Sequence, residues 1–472
     1  MSMLKNKLPP INKPQTSLKR VLGLTSGIML VAGIMIGSGI FKKIAPMAAS
    51  GLSEIDILGA WILAGIVTML GAFTISGLAD LTTESGGEYE YLRIIFGNFT
   101  AFLFGWASFT IIGSASIAAI AFIFTQSFNA LIPIADPLAN LKDINLGGFI
   151  FPFSNSGIKI LACGMIILLT WINYRGTKKG AALNNAVTYL KIGGIVLLII
   201  LGFFFYDSRS SVHEIESHHV FQTGAGFIGA FFAAMLSAFW AYDGWLNVSF
   251  VSGEIKDPKK NVPVAIIAGV SIVMLLYVLV NVAFMKVLPL NKMGALSEND
   301  IAASVVAATI LGKNGSIFIS VLILLSTFGA LNGLIITYAR LYYKMAQDGF
   351  FFKQAANTHP RFNTPHVSLI ISMVISCILV FSGTFDMLTD IIVFAGFLFY
   401  ALLAIGLIQM KRKGKISARL IGYPVVPMLF IVFSLALLVN TCIEQPKQTM
   451  FGVCLMLTGI PFYYFFKRTN RF

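Results

Sequence analysis

Charge is scarce in this chain. Asp, Glu, Lys and Arg make up only 11% of its 472 residues, less than half of the roughly 25% typical of a soluble domain. That excludes an ordinary water-soluble fold. With 57% hydrophobic residues and a mean hydropathy of +0.83, the chain reads as a polytopic membrane protein. Acidic charge is scarcer than basic, 20 residues against 34, for a net charge of +14. In a soluble protein that excess would suggest nucleic acid. Here the basic residues lie between apolar segments, where they set topology, and no nucleic-acid partner is expected. Cysteine is scarce too. Cys163, Cys377, Cys442 and Cys454 show no metal-ligand spacing and read as buried free thiols. His213, His218 and His219 share one polar loop, Asp207 to His219, which reads as solvated rather than metal-binding. No acid–base dyad, metal-ligand set or phosphate loop is present, so neither an enzyme nor a cofactor is expected. No loop is long enough to house a soluble signalling domain, which argues against a membrane-embedded sensor.

Long apolar runs are what the chain does have. A span needs about 20 apolar residues. Twelve are expected: Val21–Phe41, Ile57–Ala79, Phe96–Phe128, Ile160–Tyr174, Leu183–Tyr206, Phe227–Val251, Val264–Met285, Ser316–Tyr338, Val367–Phe385, Met387–Met410, Leu420–Val439 and Met450–Phe466. The first follows a basic tail and lacks a clear cleavage site, so it reads as a membrane helix rather than a removed signal peptide. The loops and tails on one side hold most of the Lys and Arg, including Lys256, Arg340, Lys344 and the run Lys411–Arg412–Lys413. That side is expected to be the cytoplasm, with both termini there, in an inner membrane.

Two spans carry interruptions. In the first, Gly37, Ser38 and Gly39 are poor interior residues, each glycine costing about 1 kcal/mol relative to alanine. A broken helix survives in lipid only where protein buries it or a wet cavity receives it. Close helix packing through Gly33 and Gly37 is the competing reading. The sixth span carries Asp243 and Gly244 in the run Phe239-Trp-Ala-Tyr-Asp-Gly-Trp245. The first and sixth spans are corresponding members of two five-helix halves, and paired glycine-interrupted segments point to a transporter site. Asp243 reads either as the cap of a half-helix starting at Gly244 or as a contact for a substrate amine. Trp240 reads as a gate or as packing; Tyr242 and Trp245 read as packing. Lys191 falls roughly 12 Å along the fifth span, near the middle of a hydrocarbon core about 30 Å thick. It either snorkels to the surface or faces the interior and is partnered there.

Four stretches now carry a resemblance: Ile36-Gly-Ser-Gly-Ile-Phe41; Ala241-Tyr-Asp-Gly-Trp245 with Glu254-Ile-Lys-Asp-Pro258 and Pro263; Phe328-Gly-Ala-Leu-Asn-Gly333 with Ala339-Arg-Leu341 and Asp348-Gly349; and Asn184 to Lys191. The chain resembles the amino acid–polyamine–organocation (APC) superfamily, and within it the L-type amino acid transporter (LAT) family, particularly bacterial members related to serine/threonine exchangers. The resemblance implies an all-α polytopic membrane protein of twelve transmembrane helices, a LeuT-like 5+5 inverted repeat plus two C-terminal helices. The division would be a cytoplasmic tail at 1–20, a first repeat at 21–206, an inverted repeat at 221–410, and helices eleven and twelve at 418–467.

The implied function is secondary transport of neutral L-amino acids by alternating access, as sodium-independent exchange. A proton-coupled amino acid symporter is the alternative, and a membrane-embedded amino acid sensor the alternative of another class. The interruptions and the resemblance together give the expected substrate-binding set: Met35, Gly37, Ser38, Gly39, Trp240 and Asp243. Ser38 and Gly39 would offer backbone groups to the α-carboxylate, free carbonyls of Met35 and Trp240 would meet the ammonium, and the Trp240 ring would act as gate. Asn332 and Gly333 would be structural. Lys191 would supply a positive charge where related transporters bind sodium, linking the fifth helix to the first and eighth. Two departures stand out. The region 129–159 lacks the cysteine through which eukaryotic members join a glycoprotein, so no disulfide-linked heavy chain is expected. Asp243 stands where many eukaryotic members carry glycine.

Overall fold

The computed structural model describes residues 20–145, 151–204, 226–297, 300–381, 385–417 and 419–469. The basic tail and the loop with His213, His218 and His219 lie outside them. Among the described residues all regular structure is helical. Eleven helical segments are long and apolar enough to cross a membrane, as a chain with so little charge requires. The remaining expected span, Val367–Phe385, is the helix His366–Val380, only 15 residues. That is roughly 22 Å, short of a hydrocarbon core of about 30 Å.

Local chemistry sets the boundaries. A reciprocal capping box starts the second span: Asp56 N–H donates to Ser53 Oγ at 3.2 Å and Ser53 N–H to Asp56 Oδ2 at 3.1 Å. Two of the orphan donors of the helix start are thereby answered. The eighth span does not stop at Tyr338. It runs unbroken from Lys313 to Gln347, 35 residues, so Arg340 and Lys344 stand on the helix and not in the loop expected for them. The charge is tolerated because it is partnered. Arg340 Nε donates to Glu254 Oε1 at 2.9 Å, with both side chains buried. Gly349, at φ +82°, lets the chain turn away.

The last helices form an outer face. Val432, Leu435 and Val439 project from Val425–Glu444, each at least half exposed. An apolar stripe of that kind matches lipid as its solvent. All four cysteines are free thiols, but only Cys163 and Cys377 are partly buried. Cys442 and Cys454 are exposed, contrary to expectation, because they lie on these outer helices.

At the Arg340 end the chain entry is tied to the segment after the second interruption. The N–H groups of Val21 and Leu22 both donate to the Glu254 carbonyl at 2.9 Å, and Lys256 N–H donates to Leu22 O at 2.8 Å. Glu254 thus anchors the first helix through its backbone and the eighth through its side chain. Replacing Arg340 by Ala leaves Glu254 buried without that partner, which costs about 3–5 kcal/mol. Replacing Lys259, whose exposed side chain reaches Asp80 at 3.5 Å, costs at most about 1 kcal/mol. Melting curves in detergent should therefore show a much larger drop for Arg340→Ala than for Lys259→Ala. Equal drops would mean that the buried pair contributes nothing.

Candidate transport site at two helix breaks

Both interruptions are real breaks. The first helix runs Leu24–Met35. Ile36 then leaves it at ψ +75°, and a four-residue helix restarts at Gly39. A tight turn lies between, with Gly37 N–H donating to Met35 O at 2.7 Å. The sixth span is helical over Gly226–Tyr242 and resumes as a short 3-10 helix over Asn247–Glu254. Gly244 supplies the bend at φ +95°, a conformation open to glycine at little cost.

The two breaks touch at the backbone. A Cβ on Gly39 would lie 2.6 Å from the Ala241 Cα, and one on Gly244 would strike the Ile34 side chain. Beside this contact lies a small cavity. Met35, Gly37, Ser38, Gly39, Trp240 and Asp243 all line it, so the six expected residues meet in one place. The Ser38 hydroxyl is buried, and its Oγ has no partner among the described residues. Of the first-turn N–H groups of the restarted helix, that of Phe41 already donates to Ser38 O at 3.2 Å, and the first break brings the Ser38 hydroxyl to the cavity.

The carbonyls of the first break are engaged elsewhere. Lys191 is fully buried and does not snorkel. Its Nζ donates to the carbonyls of Gly33 at 2.5 Å, Ile36 at 2.8 Å and Ser326 at 3.4 Å. It lies behind the break, and is not one of the residues lining the cavity. Ser326 Oγ donates to Ile36 O at 2.7 Å. Tyr277 hydroxyl lies 2.7 Å from Met35 O and 3.0 Å from Ala241 O, one group shared between the two breaks. The Met35 carbonyl thus already receives Gly37 N–H and Tyr277, and the Trp240 carbonyl accepts from Asp243 N–H at 3.2 Å. Neither is free in this conformation. A substrate ammonium would have to share or displace those donors.

Asp243 does not cap the second half-helix. That element starts at Asn247 with Leu246 in the capping position and no side-chain cap. The carboxylate instead accepts the Tyr400 hydroxyl at 3.1 Å. Asn332 Oδ1 accepts from Asn173 Nδ2 at 2.7 Å, and Gly333 lets Ile34 approach where a Cβ would lie 2.6 Å from it. Both fit structural roles. Sequence reasoning missed Tyr277, Ser326 and Tyr400. Each is a lone polar group in an apolar helix, and nothing in its own segment says that it faces a break.

A sequence profile described as amino acid permease matches residues 22–466, which takes in both breaks and nearly the whole chain. The chain belongs to the amino acid permease family. It is 31% identical to the serine/threonine exchanger SteT of Bacillus subtilis, an alignment covering 96% of this chain and 98% of that protein. It is 30% identical to the mouse b(0,+)-type amino acid transporter 1, over 96% of this chain and 88% of the relative. Mouse large neutral amino acids transporter small subunit 2 matches at 28%, over 95% and 81%. The family match makes the cavity at the breaks the place to test. Gly37 has room for a methyl group, with its nearest neighbours at 3.5 Å, whereas Gly39 does not. Gly37→Ala should therefore keep near-normal thermal stability. Gly39→Ala should force the two breaks apart, lowering both melting temperature and uptake. Equal melting temperatures for the two variants would refute the close contact.

Proposed function

We propose that this permease exchanges neutral L-amino acids across the membrane by alternating access, without sodium. The observation that carries the reading is the pairing of two helix breaks around one cavity. One break brings the start of the restarted helix and the unpartnered Ser38 hydroxyl, a helix N-terminus being suited to a carboxylate. The other brings Asp243 and the Trp240 ring. In this reading Ser38 and Gly39 hold the α-carboxylate, Asp243 and the carbonyls of Met35 and Trp240 attend the amine end, and Trp240 closes over the substrate. No bond is made or broken in the substrate, so no catalytic group is assigned.

Sodium independence follows from Lys191. Sodium is a hard cation and seeks a set of oxygen ligands. The carbonyls of Gly33, Ile36 and Ser326 are such a set, and the Lys191 ammonium occupies it. A covalently held cation cannot carry an ion gradient by leaving. The excess of Lys and Arg on one side supports cytoplasmic termini in an inner membrane. The absence of cysteine between 129 and 159 supports a chain working without a disulfide-linked partner.

Proteoliposomes loaded with and without internal amino acid test the exchange. Uptake of labelled neutral amino acids should rise with internal substrate and ignore sodium. Uptake indifferent to internal substrate but dependent on a proton gradient would favour the symporter. Lys191→Ala strips the donor from three carbonyls and should cut turnover at least about tenfold, the effect of roughly 1.4 kcal/mol in a barrier. Lys191→Arg should recover part of it, because a planar fork cannot reproduce the point geometry of an ammonium. Full activity in Lys191→Ala, or sodium-driven accumulation by the wild type, would remove this role.

A further inference from the structure

One buried acid has no part in the arrangement above. Glu88 lies between the second and third spans, at the start of the helix Gly87–Phe96. It is 3% exposed, and its Oε2 has no hydrogen-bond partner among the described residues. Two glycines put it there. Gly86 and Gly87 have φ of +120° and +49°. Gly86 N–H donates to Phe250 O at 3.2 Å, and a Cβ on Gly87 would run into Ser249 and Phe250. The start of this helix is thereby pressed onto the short helix that follows the second break.

Glu88 is therefore buried within electrostatic reach of the acid of that break. The charge acting on it is Asp243. Tyr338, from Lys313–Gln347, and Tyr400, from Phe385–Arg412, lie in the field of both carboxyls, and Tyr91 faces Glu88 from its own helix. On Asn247–Glu254 the titratable group is Glu254, which is tied to Arg340. No basic side chain is among the groups acting on Glu88. Burial, and after it the Asp243 charge, hold the Glu88 carboxyl well above the usual carboxylate range. Ser249 Oγ, also buried, is without a partner among the described residues as well. A group of unanswered polar atoms of this kind suits internal water, through which a proton can travel.

We propose that Glu88 and Asp243 form a proton-binding site beside the transport cavity, in which Glu88 holds the proton at neutral pH and Asp243 holds the charge. Two ionised carboxylates sharing a buried site without a cation would repel, so one keeps its proton. The bound proton leaves a single negative charge at the cavity. Losing it doubles that charge beside a zwitterion that requires balance, so exchange falls as pH rises through the raised Glu88 value. Stability moves the same way. Above the free glutamate value of about 4.3 the folded state binds a proton that the unfolded chain has released. Stability therefore falls with rising pH until Glu88 ionises.

The test is infrared spectroscopy of the full chain in lipid vesicles without substrate, comparing the wild type with Glu88→Gln. The expected result is a protonated-carboxyl band at neutral pH that is absent in Glu88→Gln and disappears from the wild type at alkaline pH. Exchange by Glu88→Gln should lose the alkaline decline. Should Glu88→Gln fail to insert, the wild-type band decides alone. Absence of the band at neutral pH, an unchanged band in Glu88→Gln, coincident pH profiles, or a band abolished by sodium would each overturn the proposal; the last would indicate a metal-cation site. The infrared reading needs no transport, so a failed exchange assay leaves the proton site standing, and a missing band overturns it even in an active exchanger.

Discussion

Breaking a helix inside a membrane exposes backbone groups that lipid cannot satisfy, and the rest of this architecture answers that constraint. The first break frees carbonyls at Gly33, Met35, Ile36 and Gly37. Lys191 takes two of them, Tyr277 a third, and Ser326 reaches the last pair, sharing Ile36 with Lys191. The three donors come from three different helices. The break is therefore a junction: the first helix cannot shift without surrendering bonds to the fifth, seventh and eighth spans. A buried lysine is costly on its own, by at least about 2.5 kcal/mol near a helix centre, and it is retained where a concentrated set of carbonyl dipoles receives it.

The same donors set the polarity of the cavity. They draw carbonyls of the first break toward Lys191, while the unpartnered Ser38 hydroxyl stands at the cavity. Tyr277 extends the arrangement to the second break, since its single hydroxyl lies within reach of both Met35 O and Ala241 O. One hydrogen cannot serve two carbonyls fully, so the tyrosine favours whichever break presents the better acceptor. That makes it a natural point at which movement of one break is felt by the other.

How much of this could be read from the sequence depends on distance along the chain. Glycines at 37, 39 and 244 announce breaks because their cost is local, and the depth of Lys191 follows from counting along an apolar run. The partners do not follow. Tyr277 lies 242 positions from the carbonyl it answers, and Ser326 lies 290 from Ile36. Periodicity places each on a helix without saying which neighbour that face meets. Asp243 misled for the opposite reason. Its position before Gly244 looks like a cap, yet its hydroxyl partner, Tyr400, sits 157 residues away. The eighth span ran past its expected end because a hydropathy boundary marks where charge begins. The helix continued because Glu254 was waiting for Arg340.

The closure of the site has a further consequence. Ser38, Gly39 and Trp240 are all buried, and side-chain contacts hold the chain on both sides of them. On one side Lys43 Nζ donates to Thr389 Oγ1 at 2.9 Å and Lys42 Nζ lies 3.5 Å from Gln126 Oε1. These hold the restarted half of the first helix to the third and tenth spans. On the other side stands the full ion pair of Glu254 and Arg340, with Lys344 spanning Glu84, Glu90 and Asp348 at 2.7 to 3.8 Å. Removing one member of a buried ion pair is costly, because it leaves a buried charge unanswered. Opening toward the Glu254 side must therefore replace those ionic contacts with water as it proceeds, because charges separated without solvent would raise the barrier beyond what binding a small zwitterion can offset. The exposed reach of Glu84, 63% accessible at its side chain, gives water an entry point at the rim of that network.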